Sequence, residues 1–274
     1  MDDEPPRQRH FQRWLKPMQP GCLHRDNIWS YLPAYLRVAT RNRFQQKRTK
    51  PGGPAGRTRA GSLAACREGT PTFWRQQLPP GTLGLTFDDG PHPVGTPAVL
   101  DVLARHHARA VFFALGAAIT AHVELAVQIH MAGHALGYHG WKHRPERSGQ
   151  GFEGFDRTAR LLESKAEQPV LLPLIRYPHG FNQFWFPTQH DRCVISNVGW
   201  TLDSLDYSAL PQRRKLKRLL RILSRSAAQG HVILMHDGGR GGESTAELLD
   251  RFLDRAASMG WQTISLTEHF QNSR

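Results

Sequence analysis

TLGLTFDDGPHP, residues 82–93, is the stretch on which the reading of the fold turns. Residues 82–87 are mostly apolar or β-branched and short, as a buried strand requires, and Gly90-Pro91 turns the chain just after the adjacent carboxylates Asp88 and Asp89. Comparable runs recur at 110–115, 135–139, 171–177, 193–200, 231–236 and 262–266. Between them lie stretches of helical period: TPAVLDVLARHH from 96, HVELAVQIHMAG from 122, FDRTARLLESKA from 155, PQRRKLKRLLRILSRSAA from 211 and STAELLDRFLDRAASMG from 244. Strand–helix alternation sustained over about 200 residues predicts an α/β protein with a parallel sheet or barrel. In such folds the chemistry sits at the carboxyl ends of the strands. Asp88 and Asp89 follow the first run, His139 the third, Arg176 the fourth, Asp203 and Asp206 the fifth, and His236 the sixth.

The 274 residues carry a formal net charge of +13, unevenly distributed. Residues 1–70 hold 14 Lys or Arg against 5 Asp or Glu, whereas the remainder is nearly balanced. A basic, disordered leader over 1–70 is therefore expected before a folded domain over 71–274. Such a leader can contact anionic surfaces; no specific nucleic-acid partner is expected. The leader has one apolar patch, IWSYLPAYLRV at 28–38, then dissolves into RNRFQQKRTKPGGPAGRTRAGS, a linker by composition. No apolar run approaches the roughly 20 residues that span a bilayer. No secretory signal is visible, because the first 20 residues begin acidic and are broken by proline. Cys22, Cys66 and Cys193 are too few and too scattered for a disulfide framework, and reduced thiols are expected.

Four polar stretches can carry chemistry. Asp88 and Asp89 are adjacent at a strand end, so their side chains point in different directions; one can bind a metal while the other remains a base, or both can be the solvated carboxylates of a turn. HGWKH at 139–143 places two imidazoles four residues apart, on a helical turn or a loop that imitates one. Two His and one Asp make a three-ligand site that leaves a position for water, as a hydrolase needs. RYPHG at 176–180 offers a guanidinium to hold a carboxylate ionised, or a surface salt bridge, and a turn whose backbone N–H groups can face an oxyanion. HVILMHDGG at 231–239 delivers His236, which is a general acid if paired with a carboxylate such as Asp206, and otherwise a core histidine or a fourth ligand.

In order and spacing these stretches resemble the five signature motifs of the polysaccharide deacetylase family, carbohydrate esterase family four. Thr86 to Gly90 resembles its TFDDG, His139 to His143 its H-[ST]-x-x-H, and Arg176 to Gly180 its R-x-P-Y-G. Asp203 to Tyr207 is similar to D-x-x-D-W and Leu234 to His236 to L-x-H. TPAVLDVL, AVFFALG and AGHALGYH look like the family's connecting text. The resemblance covers roughly 72–270. It implies a distorted (β/α) barrel of about seven parallel strands. It further implies a divalent metal, usually zinc, on Asp89, His139 and His143, with Asp88 as base, Arg176 paired to Asp88, His236 as acid and Asp206 tuning His236. Leu234 would line an acetyl pocket, with His179 and Tyr207 beside the substrate. The implied substrate is an N-acetylated glycan, peptidoglycan or chitin-like, from which acetate is released; a substrate of that class implies the cell envelope or the exterior, whereas the lack of a visible export signal leaves an intracellular substrate open. Hydrolysis of small or cyclic amides on the same fold, or carbohydrate binding without turnover, are the alternatives. Three positions depart from the family pattern: Gly140 stands for Ser or Thr, His179 for Tyr, and Tyr207 for Trp.

Overall fold

The computed structural model describes residues 78–272, apart from 145–147, 181–188, 191–192, 195, 227 and 240–241. The expected leader over 1–70, its patch at 28–38, the boundary at 71, and Cys22 and Cys66 lie outside the described residues. In chain order the elements are β1 (Thr82–Asp88), α1 (Gly95–Arg105), β2 (Ala110–Ala114), α2 (Gly116–Ala121), α3 (Val123–Met131), β3 (Ala135–Tyr138), α4 (Ser148–Ala166) and β4 (Leu171–Ile175). After a short 3-10 turn at Pro178–Gly180 come β5 (Gln189–His190), β6 (Cys193–Val194), β7 (Ser196–Asn197), β8 (Leu202–Asp203), α5 (Gln212–Leu223), β9 (His231–His236), α6 (Gly242–Ser258), β10 (Gln262–Thr263) and α7 (Leu266–Asn272).

β1 is central because it is paired along both edges. Asp88 stands in register with Phe113 of β2 and with His236 of β9. The sheet runs β7-β4-β3-β2-β1-β9-β8, every pair parallel, with β10 beside the start of β1. Seven parallel strands thus curl into a half-barrel, the distorted barrel expected from the sequence.

Strand side chains alternate between faces, and here the two faces have different tasks. Leu83, Leu85, Phe87, Phe112, Ala114, Ile233 and Met235 pack into one buried cluster with Val99, Leu103, Ile129, Leu162, Leu249 and Phe252 of the helices. The rings of Phe87 and Phe112 stack at 5.0 Å. Each such Leu or Phe stabilises the fold by ~1.5–3 kcal/mol on burial, and truncating Leu249 to Ala would cost about 2–5 kcal/mol. Thr86, Asp88, Leu234 and His236 fall in the other register, away from that cluster. The apolar face anchors the sheet on its helices, and the opposite face is left for polar work.

Several elements differ from the periodicity. The single strand expected over 193–200 is divided: β6 pairs antiparallel with β5 as a separate hairpin, β7 joins β4 in the main sheet, and Gly199 and Trp200 are not strand. The strand that carries Asp203 is instead β8, beside β9. The run at 262–266 ends at Thr263, and Leu266 opens α7. α2 was not legible, since GAAITA offers too few residues to show a helical period. Of the two placements open to the HGWKH segment, the structure has the loop.

Candidate active site

Parallel pairing brings the ends of β1, β3, β4 and β9 together, and with them the polar residues singled out by the sequence. Asp89 Oδ1 lies 3.6 Å from His139 Nε2 and 3.6 Å from His143 Nε2. Ligand atoms of the three residues all fall within 4.8 Å of one another. Atoms bound to zinc at about 2.0–2.2 Å in a tetrahedron stand roughly 3.3–3.6 Å apart, so the two 3.6 Å separations from Asp89 suit a small cation. Two further observations support that fit. His139 Nδ1 donates to the Arg176 carbonyl at 2.8 Å, which selects the tautomer whose Nε2 is the ligand atom. Asp89 Oδ1 is buried without a hydrogen-bond partner, a costly state that a cation would relieve. Burial lowers the pKa of His143, further favouring the neutral ligand form, although the Asp89 carboxylate opposes this.

The loop carrying both imidazoles is held from behind by α2. A helix's first N–H groups have no partner within the helix, and those of Gly116 and Ala117 donate to the carbonyls of Gly140 and Trp141 at 2.9 and 3.0 Å. Gly140 itself adopts φ 86°, a left-handed conformation that costs glycine little. Glycine in place of Ser or Thr therefore suits the backbone found here.

Asp88 and Arg176 form a buried ion pair. Arg176 Nη1 donates to Asp88 Oδ1 at 2.7 Å and to Thr86 Oγ1 at 2.8 Å, while its Nε and Nη2 donate to the carbonyls of Val198 and Gly199 at 2.9 and 3.0 Å. The guanidinium lies over the Phe113 ring at 4.3 Å. Burial pulls its pKa down and the Asp88 carboxylate pulls it back up. Every bond the guanidinium makes is directional, so Asp88 is presented in one orientation. Its Oδ2 is 3.7 Å from His139 Nε2, so both adjacent carboxylates border the same imidazole.

Asp206 and His236 form a second pair. His236 Nδ1 meets Asp206 Oδ1 at 2.9 Å, and the His236 amide donates to Oδ2 at 2.7 Å. Thr245, Ser204 and the Tyr207 amide also donate to this carboxylate. Burial alone would raise the Asp206 pKa, but the hydrogen bonds and charge of His236, with the Thr245 hydroxyl, lower it. For His236 burial acts downward, yet the hydrogen bond and charge of Asp206, with Asp88 and Asp89 beyond, push the imidazole up to about 9. A ring protonated at neutral pH, tethered through Nδ1, has Nε2 left to deliver a proton.

The remaining candidates take less direct places. Leu234 is buried two residues before His236 on the same strand face. Tyr207 is half exposed, its ring edge-on to His236 at 5.2 Å and its hydroxyl donating to Asp203 at 3.0 Å. His179, at φ 59°, sets its ring edge-on to His143 at 4.3 Å. Sequence reasoning passed over Thr86, Asp237, Thr245 and Lys215. Lys215 Nζ donates to the Asp206 carbonyl at 2.5 Å and Arg218 to that of Asp203 at 2.6 Å, so two cations of α5 hold the 203–206 loop. The HDGG that ends β9 was a signal for Asp237: a carboxylate beside glycines at a strand end.

The family model for polysaccharide deacetylase matches residues 75–185. The chitooligosaccharide deacetylase of Sinorhizobium fredii is 33% identical over 159 residues, which are 56% of this chain and 71% of that protein. The chain belongs to the polysaccharide deacetylase family. The peptidoglycan-N-acetylglucosamine deacetylase PgdA of Listeria monocytogenes is 28% identical over 192 residues, 68% of this chain but only 38% of that protein. The family member therefore spans little more than a third of that relative. A solved peptidoglycan N-acetylglucosamine deacetylase, in complex with 4-naphthalen-1-yl-N-oxidanyl-benzamide, superposes with a TM-score of 0.58 at 25% identity, covering 69% of this chain and 87% of its own. A family pseudoenzyme from Bacillus anthracis shares the fold, with a TM-score of 0.59 at 23% identity over 73% of this chain and 69% of its own. Among the described residues no helix is long and apolar enough to cross a membrane.

Proposed function

We propose that the chain is a hydrolase that removes N-acetyl groups from polysaccharide containing N-acetylglucosamine, of peptidoglycan or chitin type, with a divalent cation, zinc by its ligand set, on Asp89, His139 and His143. The observation that carries this reading is the convergence of a buried, unpartnered carboxylate oxygen with two imidazole nitrogens, one tautomer already fixed. A cation held there supplies Lewis acidity to the acetamide carbonyl and to the water that attacks it. Asp88, oriented by Arg176, accepts a proton from that water as its oxygen bonds to the carbonyl carbon. The backbone at His179 faces the developing oxyanion, and Leu234 and Tyr207 border the acetyl group and the sugar. When the carbon–nitrogen bond breaks, His236 gives its Nε2 proton to the departing amine, which is too basic to leave as an anion. The products are acetate and a free amino sugar.

Retention of both proton-transfer groups, each with its partner carboxylate or guanidinium, favours turnover over carbohydrate binding alone. The test is acetate release by the full chain from N-acetylglucosamine oligomers and from peptidoglycan, with zinc and with a chelator. Zinc-dependent release that Asp88→Asn strongly reduces is the expected result. Release unaffected by Asp88→Asn would remove the base, and binding of oligomers without acetate would make the chain a non-catalytic relative.

A further inference from the structure

We infer that Asp237 is a positioning residue for the candidate metal centre: it clamps the turn after Asp88 so that Asp89 presents its carboxylate to the two imidazoles. This rests on the proposed metal site and assigns a task to a residue outside it. Asp237 follows His236 and is 1% exposed, which for a carboxylate demands a specific set of partners. Its Oδ1 accepts from the Gly90 amide at 3.2 Å. Its Oδ2 accepts from Thr96 Oγ1 at 2.5 Å, and that hydroxyl in turn accepts from the His92 amide at 2.8 Å. One carboxylate therefore grips both ends of the Gly90–His92 turn, directly at Gly90 and through fully buried Thr96 at His92.

The backbone around it completes the grip. The amides of Asp237 and Gly238 donate to the Asp88 carbonyl at 3.2 and 3.4 Å. Gly90 returns its carbonyl to the Leu115 amide at 3.0 Å, just before the helix that supports the imidazole loop. Space is as restricted as the hydrogen bonding. A Cβ on Gly90 would run into the Asp237 carboxylate, and one on Gly238 into the Asp89 backbone. Between these contacts Asp89 holds φ 77°, an unusual conformation for a residue with a side chain, which persists only when its surroundings enforce it. The Asp237 side chain bonds directly to the residue immediately after Asp89.

The clamp predicts a loss of metal affinity larger than any loss of folding. Removing a partner that orients a ligand typically weakens metal binding about 10–100-fold. Asp237→Ala should weaken zinc binding to the full chain by that factor, measured by competition with a chromophoric chelator, alongside the Tm of the metal-free protein. Asp237→Asn keeps an oxygen for the Gly90 amide and should recover most of the affinity. Thr96→Val, which breaks only the His92 branch, should lie between wild type and Asp237→Ala. Asp237→Ala protein that binds zinc as tightly as wild type, with only a lowered Tm, overturns the inference, and so does an Asn variant no better than Ala. If Asp237→Ala does not fold, the Thr96→Val comparison decides in the same way. Wild-type protein whose zinc binding is indifferent to His143→Ala would instead sink the metal site itself, a result separable from failure of the clamp.

Discussion

Replacing Asp206 by Asn removes the charge that raises His236 while leaving the ring buried. With Asp206 the imidazole is held at about 9; without it, burial remains and the pKa should return to its ordinary 6.5 or below. A shift of that size corresponds to about 3 kcal/mol of preference for the protonated ring. If the protonated form delivers the proton, wild type keeps nearly all of its acid through neutral pH. The variant keeps about a quarter at pH 7, so the loss from protonation alone grows from ~4-fold at pH 7 to ~30-fold at pH 8 and ~150-fold at pH 9. The assay is the pH dependence of kcat/KM for acetate release, with the His236 ring titrated in parallel by NMR. The alkaline limb should move from about 9 to 6.5 or lower. The same linkage governs stability. A folded pKa above the unfolded value stabilises fully below pH 6.5 and loses that contribution as pH rises through about 9. Metal-free wild type should therefore lose about 3 kcal/mol between these limits, and Asp206→Asn should show a nearly flat profile there. An alkaline limb that stays in place in the variant, or a wild-type ring titrating near 6.5, would refute the reasoning.

Other outcomes follow from the same geometry. Asp88→Asn should lower kcat by ~10²–10⁴-fold, the usual value of a positioned base, while zinc affinity measured by chelator competition changes little. Arg176→Met leaves Asp88 buried and unpaired, and chemical denaturation should report a loss of about 3–5 kcal/mol; Arg176→Lys should not restore it, because one ammonium cannot reproduce bonds to four acceptors. Gly140→Ser, which restores the family's hydroxyl residue, should cost ~1–2 kcal/mol in the same assay, since φ 86° is strained for a residue with a Cβ. Chelation should abolish acetate release, and added zinc should restore it.

The face that holds the candidate site was legible because alternation is a local property. Each apolar run had to be a strand, each strand had to end, and the charged residue just past its end had to lie on the carboxyl edge. Asp88, Asp89, His139, His143, Arg176 and His236 all meet at that edge. The same logic failed over 193–203, where the strands are only two residues long and show no usable period. It also failed at α2, a helix recognisable only by what its first amides hold.

By itself the sequence determined the α/β class, the identity of the polar side chains at the strand ends and their order, since these depend on residues near one another in the chain. Only the tertiary structure decided which of them touch and in what state. Arg176 reaches Asp88 across 88 positions, and Asp237 reaches Gly90 across 147. The acceptor that fixes the His139 tautomer is a backbone carbonyl, present at every residue and therefore invisible in composition. A periodic pattern records which face a side chain takes, whereas a hydrogen bond or a shifted pKa depends on partners that folding alone brings within about 3 Å.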